Sequence, residues 1–407
     1  MLSSSTKKRL GVALVAASMI GGAAFSAGAK ADPKQYTALV GVGSDTVQDV
    51  FNAFANGYND GTADHLPVQS DSGSGNRQVV SFDALNPVNA SDTCITAKIG
   101  GPSFDRPNGS GAGQKALSRA MDGTGWGTAT CGGPVDVSGQ VDFGRSSSGT
   151  SNAAASDVTF VPFGRDALSF AYYKMGSGSA VTALTKAQLK TIFTTGPQTI
   201  NGVLIVGCGI QNGSGTYKFW NKALGISDTT TEATGTTICN GLISNSLSGR
   251  AEENSGDALK ARGDALVALN AGTYGEAQVI IGFSAAAFIA KSNGVAPGAP
   301  PVGVLMGSIQ DDITASAAVS PITGTAPSLA PNSTFYASAT FGRKVYTVWP
   351  TSKVTGIGNA DIHSLVVGST SAVCSATSTI ERFGFLSLGA DCGSTTETGP
   401  KTAGQTN

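Results

Sequence analysis

The 407-residue sequence predicts an α/β protein. Three of its four Gly- and Ser-rich loops follow short apolar runs that are typical of buried strands. Three of the four are also followed by apolar residues at helical spacing. Strands that alternate with helices favour a sheet with helices packed on it. With 40% apolar residues, the chain can bury the core of one large bilobal unit or of two or three domains.

The first loop, residues 41–46, lies between a short apolar run and a predicted amphipathic helix. The apolar side chains on one face of that helix are Val47, Val50, Phe51, Phe54 and Tyr58. Ser44, Asp45 or Thr46 is expected to cap the first turn, because short polar side chains accept hydrogen bonds from the first N–H groups of a helix.

The second and third loops lead to different predicted elements. The second loop, residues 107–113, runs into a stripe of small and apolar residues at helical spacing between positions 112 and 121. The third, residues 141–148, has the pattern of a short strand that ends in consecutive hydroxyl side chains. The sequence therefore predicts a helix after the second loop and a strand end at the third.

The fourth loop, residues 211–216, comes after the apolar run 203–206. A helix is predicted after it from the helical spacing of four apolar side chains: Tyr217, Trp220, Ala223 and Leu224. We expect these side chains to belong to the core.

Further segments complete the predicted architecture. A buried strand over residues 160–173 is expected to cross between two lobes. Thr185 and Gln188 form a capping box at the start of another helix. The remaining predictions are strands at 279–283 and 344–349, a helical or compact segment at 380–388, and loops at 292–301 and 320–335.

A strand, a Gly-Ser loop and a helix in succession can bind an anion. The first N–H groups of a helix have no partner within the helix, and the helix dipole adds a partial positive charge there. Glycine lets the backbone approach a ligand, and Ser or Thr adds hydroxyl donors. One such loop is weak evidence, because 55 residues are glycine and Gly-Ser-Gly triplets also arise by chance. Several converging loops would hold a tetrahedral oxyanion.

The ordered set of motifs resembles the extracellular phosphate-binding protein of the phosphate ABC transporter. That family carries loops of the types G-x-G-S-T-F, G-S-G-x-G, D-F-G-A-S-D and R-x-D-G-S-G-T in this order. The similar segments here are residues 41–46, 109–113, 142–147 and 212–216. Residues 184–193 are similar to the family's L-T-x-x-Q-L-x-x-I-F stretch, and residues 281–283 to its I-G-Y segment.

The resemblance implies a two-lobed type II periplasmic-binding-protein fold with a hinge and a central ligand cleft. Lobe 1 would comprise residues 36–163 and 341–407, and lobe 2 residues 164–340. The expected ligand residues are Ser44, Asp45 and Thr46; Gly109, Ser110 and Gly111; Arg145, Ser146 and Ser147; and Gly213, Ser214, Gly215 and Thr216. The implied protein is a monomer without a cofactor that captures a small oxyanion, phosphate above all, for an ABC permease.

Three positions depart from the family's pattern. Ile210 stands where the family has an arginine, Ser147 where it has an acid, and Asp45 where it has a hydroxyl. Family members use a carboxylate to accept the proton that phosphate keeps at neutral pH, a proton that sulfate lacks. We hypothesise that Arg145 replaces the missing cation and that Asp45 replaces the missing acceptor. The alternatives are a surface salt bridge for Arg145 and a helix N-cap for Asp45.

Residues 1–31 have the pattern of a secretory signal peptide. A basic start at residues 7–9 precedes an apolar stretch, and an A-x-A cleavage site ends at Ala31. Cleavage would remove four basic and no acidic residues, which changes the formal net charge from −1 to −5 and disfavours nucleic acid as a partner. We expect a secreted or periplasmic protein with neither a lipid anchor nor a membrane-inserted mature form.

Six cysteines in an exported chain favour disulfides. We expect sequential pairing, because each pair then stays within one local region: Cys94 with Cys131, Cys208 with Cys239, and Cys374 with Cys392. The absence of a C-x-x-C motif and the presence of only two histidines disfavour a metal site.

Other functions stay open at this point. The same fold could bind a different anion or a phosphorylated metabolite, or serve as an exported surface or matrix protein without transport. A serine hydrolase is disfavoured, because neither His65 nor His363 is accompanied by a nucleophile-elbow motif. We expect Glu252 and Glu253 to lie on a solvated face.

Overall fold

One long strand, Val158–Lys174, runs through both halves of the molecule. The computed structural model describes residues 38–61, 63–70, 77–150, 152–211, 213–226, 238–239, 250–311 and 317–406. The predicted signal peptide lies outside the described residues. Among those residues, no helix is both long and apolar enough to cross a membrane.

The strands and helices are named here in chain order. The strands are β1 (Leu39–Gly43), β2 (Tyr58–Asn59), β3 (Asp64–His65), β4 (Val79–Ser81), β5 (Cys94–Thr96), β6 (Ser103–Asp105), β7 (Phe143–Ser146), β8 (Val158–Lys174), β9 (Ala183–Thr185), β10 (Gln198–Ile200), β11 (Val203–Gly207), β12 (Gln278–Ser284), β13 (Val304–Met306), β14 (Ser308–Gln310), β15 (Ile322–Thr323), β16 (Ala330–Pro331), β17 (Gly342–Pro350) and β18 (Thr398–Gly399). The helices are α1 (Gln48–Asn56), α2 (Ser110–Asp122), α3 (Lys186–Thr195), α4 (Gly215–Leu224), α5 (Gly256–Leu269), α6 (Ala271–Tyr274), α7 (Ala285–Ser292), α8 (Ser333–Tyr336), α9 (Thr351–Thr355), α10 (Ala360–Val366), α11 (Ala372–Ser375) and α12 (Thr377–Arg382).

A mixed central sheet carries the fold. Its strand order is β10-β11-β12-β8-β17-β7-β1-β4, and β13 and β18 also pair with β8. β1 runs parallel to β4 and β7, whereas β7, β17, β8 and β12 are successively antiparallel. The α/β class predicted from the sequence is confirmed.

The pairing along β8 divides this sheet into two parts. Its residues from Val158 to Ala167 pair with β17, and those from Leu168 to Lys174 pair with β12. We call the β17, β7, β1 and β4 side lobe 1, and the β12, β11 and β10 side lobe 2. The buried strand predicted over residues 160–173 is therefore confirmed, and it pairs with strands on both sides. The lobe boundaries at 163/164 and 340/341 stay a prediction.

Helix α7 packs against the cores of both lobes. Its Ala286 and Ala290 belong to the lobe 1 cluster that contains Phe51. Its Phe288 belongs to the lobe 2 cluster that contains Phe283. The start of α7 consequently lies where the two lobes meet.

The helices predicted after three of the loops are present as α1, α2 and α4, and the capping box of Thr185 and Gln188 is confirmed. The expected cap of the first helix is wrong. α1 begins at Gln48 after a 3-10 turn over Asp45–Val47, and Ser44 makes no side-chain capping bond. The reason is that Asp45 and Thr46 hydrogen-bond to lobe 2 instead.

Two segments differ from the sequence predictions. Tyr58 lies beyond the end of α1, in β2, because Gly57 has a φ of +68° and turns the chain. The segment 320–335, predicted as loop, contains β15, β16 and the start of α8. These elements are only two to four residues long, which is too short for a periodic pattern.

The three sequential disulfides are confirmed. They join Cys94 to Cys131, Cys208 to Cys239, and Cys374 to Cys392. Each links positions fewer than 40 residues apart, so the bonds staple local loops and none joins the two lobes.

Candidate functional site

Loops 1, 2 and 3 meet at one end of lobe 1. The parallel pairing of β1 with β7 sets Gly43 beside Arg145, and the Ser44 N–H donates to the Arg145 carbonyl at 3.1 Å. Gly43 also pairs with Asn108 at the start of loop 2. A Cβ atom at Gly43 would lie 2.9 Å from the Cα of Gly113, and its φ is +118°, so only glycine fits this contact.

Loop 4 comes from lobe 2 and packs directly on the loops of lobe 1. The Gly111 N–H donates to the Gly213 carbonyl at 3.4 Å. A Cβ atom at Gly215 would lie 2.4 Å from the hydroxyl oxygens of both Ser110 and Ser147. The four loops that the sequence pattern selected therefore meet between the lobes.

Hydroxyl groups line this contact. The hydroxyls of Thr46 and Thr216 are 3.0 Å apart, across the boundary between lobes. The Ser110 hydroxyl lies 3.2 Å from that of Ser147 and accepts the Ser147 N–H at 3.0 Å. All four residues are at most 4% exposed. The cleft is thus closed, with polar side chains enclosed between the lobes.

A buried arginine, Arg343, lies beside the threonine pair. It pairs with Asp166 across β17 and β8, and its Nε and Nη2 donate to the Asp166 carboxylate at 3.0 and 2.8 Å. Nη2 also donates to Thr216 at 3.0 Å and to Thr46 at 3.4 Å. Nη1 is buried and finds no acceptor within the described residues. A buried cationic N–H group without an acceptor is costly, so Nη1 is suited to an anionic ligand.

The hydroxyl of Thr216 also has a proton to donate. Thr46 accepts from Asn254 and from Arg343, so its own proton points to Thr216. Thr216 then accepts from Thr46 and from Arg343, which uses both of its lone pairs. Its own O–H is then directed at the neighbouring Glu253 carboxyl group, whose pKa it lowers.

Glu253 adds a buried carboxyl group to the site. It is 0% exposed, and the hydroxyls of Ser214 and Thr216 lie beside it. Burial and the charge of Asp45 raise its pKa to about 7, whereas the Ser214 and Thr216 hydroxyls and Arg343 lower it. At neutral pH this carboxyl group therefore exists both as a donor and as an acceptor.

The expectation of a solvated face is wrong for Glu253. Ala251 pairs with Ile210, the residue that precedes loop 4, and this bridge draws the chain after it into the boundary between lobes. Glu252 is half-buried there. Burial, together with the charges of Asp45 and Glu253, raises the pKa of Glu252 to about 8.

One more acid and one lysine lie around the site. Burial raises the pKa of Asp49 to about 7, an effect that Lys291 opposes. Lys291 itself donates to the Asn254 carbonyl at 2.6 Å. Because three carboxyl groups here titrate near neutrality, the charge of the cleft changes between pH 6 and 9.

Arg145 is completely buried beneath loop 1. Its guanidinium donates to the carbonyls of Gly41, Gly43 and Ser44 at 3.3–3.4 Å and to the Ser81 hydroxyl at 2.7 Å. The alternative interpretation as a surface salt bridge is therefore wrong. Its proposed role as the replacement cation stays a prediction.

The other predicted site residues have distinct surroundings. Asp45 accepts the Asn254 side-chain amide at 2.7 Å. Ser146 is turned into its own loop, where it accepts from Gln114 at 3.1 Å and donates to the Ser148 carbonyl at 2.6 Å. The Ser44 hydroxyl is buried without a partner among the described residues.

The sequence pattern missed Arg343, Asp166, Glu253 and Asn254. The sequence did hold a signal for Arg343 and Asp166. Asp166 stands within the strand predicted over residues 160–173, and Arg343 directly precedes the strand predicted over residues 344–349. Buried charges of opposite sign are expected to pair. No local signal marked Glu253 or Asn254.

No protein-family model matches this chain, and no curated protein matches it. Among solved structures, a phosphate ABC transporter substrate-binding protein with bound phosphate from Clostridium perfringens is similar, with 12% identity over 86% of this chain and 99% of that one and a TM-score of 0.42. An ABC-type phosphate transport receptor from Vibrio cholerae has 13% identity over 86% and 99% and a TM-score of 0.42. A DING protein has 14% identity over 87% and 92% and a TM-score of 0.44. These likenesses are too weak to assign a function.

Proposed function

We propose that this protein binds a small oxyanion, phosphate above all, between its two lobes. The observation that supports the proposal is the buried guanidinium of Arg343, whose Nη1 lacks an acceptor among the described residues while Nη2 contacts Thr46 of lobe 1 and Thr216 of lobe 2. A tetrahedral oxyanion supplies the acceptors that this nitrogen needs.

The neighbouring groups suit an anion that keeps a proton. The first N–H groups of α4, which Ser214 caps through the Tyr217 N–H at 2.8 Å, have no acceptor within the helix. Glu253 can accept a proton carried by the ligand when it is ionised. We therefore assign to Glu253 the acceptor role and to Arg343 the cation role, in place of Asp45 and Arg145.

The close packing of the loops favours a small ligand. Gly213 contacts Gly111 through backbone atoms, and Gly215 lies against two serine hydroxyls. A phosphorylated metabolite would have to separate these contacts to enter. Inorganic phosphate needs less space, and the buried loop hydroxyls of Ser44, Ser110 and Ser147 become its proposed contacts.

We further propose that the chain is exported through the signal peptide at residues 1–31 and acts as a monomeric solute-binding protein, with no enzymatic activity of its own. Capture of an oxyanion for uptake would require an ABC permease as partner. The three disulfides support an oxidising compartment, because such bonds persist outside the cytosol.

Isothermal titration calorimetry on the purified, ligand-stripped protein tests this proposal. The panel is phosphate, sulfate, molybdate and one organic phosphate. At pH 9, where Glu253 is ionised, we expect one-to-one binding of phosphate, preferred over sulfate about 100-fold, because sulfate brings no proton and Glu253 would have to take one up at a cost of roughly 3 kcal/mol. If the organic phosphate binds more tightly than inorganic phosphate, the proposed ligand is an organic phosphate instead.

The control is a variant of the adjacent lysine, Lys344→Gln. Lys344 is on the same strand but is one-third exposed and pairs with Asp391 at 3.1 Å, away from the hydroxyl cluster. It should bind phosphate like the unmodified protein. If no oxyanion at millimolar concentration binds or raises the melting temperature, the proposed function is wrong.

A further inference from the structure

Asn254 has a backbone conformation that is uncommon for a residue with a side chain. Its φ is +54°, in the left-handed region, and the residue is 0% exposed. Residues in this region outside glycine carry a conformational cost and persist where their surroundings hold them, often at functional sites. The turn at Asn254 comes directly after Glu253, so it governs where the carboxyl group of Glu253 lies.

The side chain of Asn254 reaches across to loop 1. Its Nδ2 donates to the Asp45 carboxylate at 2.7 Å and to the Thr46 hydroxyl at 3.1 Å. Both acceptors are more than 200 residues away in the chain. Through Thr46, Asn254 contacts the hydroxyl that also accepts from Arg343.

The same side chain is anchored at the start of α7. Its Oδ1 accepts the Ser284 N–H at 2.9 Å. The Ser284 hydroxyl donates to Asp166 at 2.9 Å, and Asp166 holds Arg343. The hydrogen bonds thus form a closed ring through five residues: Asn254, Thr46, Arg343, Asp166 and Ser284.

We propose that Asn254 is the positioning residue of this site, which sets Glu253 and Arg343 relative to loop 1 by joining Asp45 and Thr46 to the start of α7. It contacts other protein groups with all its side-chain atoms that can hydrogen-bond, so it acts on a ligand through its neighbours. This inference rests on the proposed oxyanion function. It also changes the role of Asp45, which becomes the partner of Asn254.

An exchange of the two partners tests this directly. Asn254→Asp keeps the shape and tolerates the left-handed conformation, but it sets a carboxylate against that of Asp45. Asp45→Asn in the same chain reverses the pair and restores one donor and one charged acceptor. Asp45→Asn alone completes the double-mutant cycle. The matched control is Asn201→Asp, the same exchange at an exposed residue between β10 and β11 whose φ is also positive, +49°.

Phosphate dissociation constants of the four variants and the unmodified protein are measured by calorimetry. We expect Asn254→Asp to weaken binding at least about tenfold, as for the loss of one hydrogen bond to a charged group, and the reversed pair to recover most of this loss. Asn201→Asp should stay within about threefold, because Asn201 is exposed and lies in the turn between β10 and β11. If Asn254→Asp binds normally, or the reversed pair is no better than Asn254→Asp, the proposal is wrong.

Urea unfolding of the same variants separates this proposal from the proposed function. The double-mutant cycle for Asp45 and Asn254 measures their coupling without any ligand. If Asp45 and Asn254 are coupled but the protein binds no phosphate, the proposed function is wrong and the pairing of these residues stands. If the protein binds phosphate but the two residues are not coupled, the role of Asn254 is wrong. If Asn254→Asp does not fold, Asn254→Gly keeps the backbone conformation and should show the same loss of affinity.

Discussion

Arg343 on β17 and Asp166 on β8 form a buried ion pair near the boundary between the lobes. The guanidinium donates twice to one carboxylate oxygen, at 3.0 and 2.8 Å, and both residues are at most 4% exposed. The second carboxylate oxygen accepts the Ala286 N–H at the start of α7 at 3.1 Å. The pair therefore couples the cation of the site to a helix that contacts both cores.

Replacement of Arg343 by lysine should weaken phosphate binding about 10- to 100-fold, because lysine cannot reach Asp166, Thr216 and the ligand with one fixed fork. Calorimetry measures the change, with Lys344→Gln as the control on the same strand. If the variant binds phosphate within twofold of the unmodified protein, Arg343 does not contact the ligand.

Replacement of Arg343 by methionine should also lower the free energy of unfolding by about 3–5 kcal/mol, because Asp166 then stays buried without its partner. Urea unfolding measures this loss. The combined variant Arg343→Met with Asp166→Asn should be less destabilised than Arg343→Met alone. Equal or larger destabilisation of the combined variant would show that the pair is not the source of the effect.

The pKa of Glu253 predicts how stability depends on pH. The folded-state pKa is raised from 4.5 to about 7, so the folded protein binds a proton that the unfolded chain releases at lower pH. The contribution of this group is fully present below pH 4.5 and is lost as the pH rises through 7. Glu253→Gln should therefore make the melting temperature decline less steeply between pH 5 and 8.

Glu276→Gln is the matched control for that experiment. Glu276 is exposed and bonds to Lys174 at 2.8 Å, an interaction that lowers its pKa to about 2. Its stabilisation is present above its ordinary pKa of 4.5 and is lost only in more acidic solution. The slope between pH 5 and 8 should not change. If Glu253→Gln also leaves the slope unchanged, Glu253 does not titrate in this range.

Local patterns in the sequence predicted the loops and the crossing strand, but they did not predict the charged groups between the lobes. The strand β8 is indicated by two mainly apolar runs, residues 160–163 and 167–173, and Ser214 is indicated by its position before a periodic helix. Arg343 reaches Thr46 across 297 positions of the chain, and Asn254 reaches Asp45 across 209. The residues next to them in the sequence do not indicate such distant contacts, which only the tertiary structure reveals.

Two charged residues show the same limit. Arg145 stands in a loop that the pattern selected, yet its guanidinium supports backbone carbonyls beneath that loop. Glu253 stands beside another acid, which is typical of a solvated face, yet the bridge between Ala251 and Ile210 carries it inward. Residue type and spacing predicted the loops that meet between the lobes, whereas the direction of each side chain depended on packing.

The disulfide between Cys374 and Cys392 should stabilise the fold without affecting the site. It closes a loop of 18 residues within the lobe 1 core. Replacement of both cysteines by alanine is expected to lower the free energy of unfolding by about 3 kcal/mol, the value for loss of a loop constraint of this length. Urea unfolding checks this loss, and calorimetry at 25 °C should give an unchanged phosphate affinity. A large change in affinity would show that the disulfide also orders the cleft.

Gly215 tests whether the loops pack this closely when ligand is bound. A methyl group at this position would lie 2.4 Å from the hydroxyls of Ser110 and Ser147, so Gly215→Ala must push loop 4 away from lobe 1. We expect phosphate affinity to fall about 10- to 100-fold, on the scale of the overpacking cost of about 1–3 kcal/mol, with a smaller effect on the melting temperature.

The matched control is Gly111→Ala in the same contact, where the added atom would lie 3.4 Å from the Gly213 oxygen and the Lys218 amine, near ordinary contact distance. Gly111→Ala should bind within about threefold of the unmodified protein, because only a slight shift is needed there. Equal affinities of the two variants would show that the bound state does not hold Gly215 against Ser110 and Ser147.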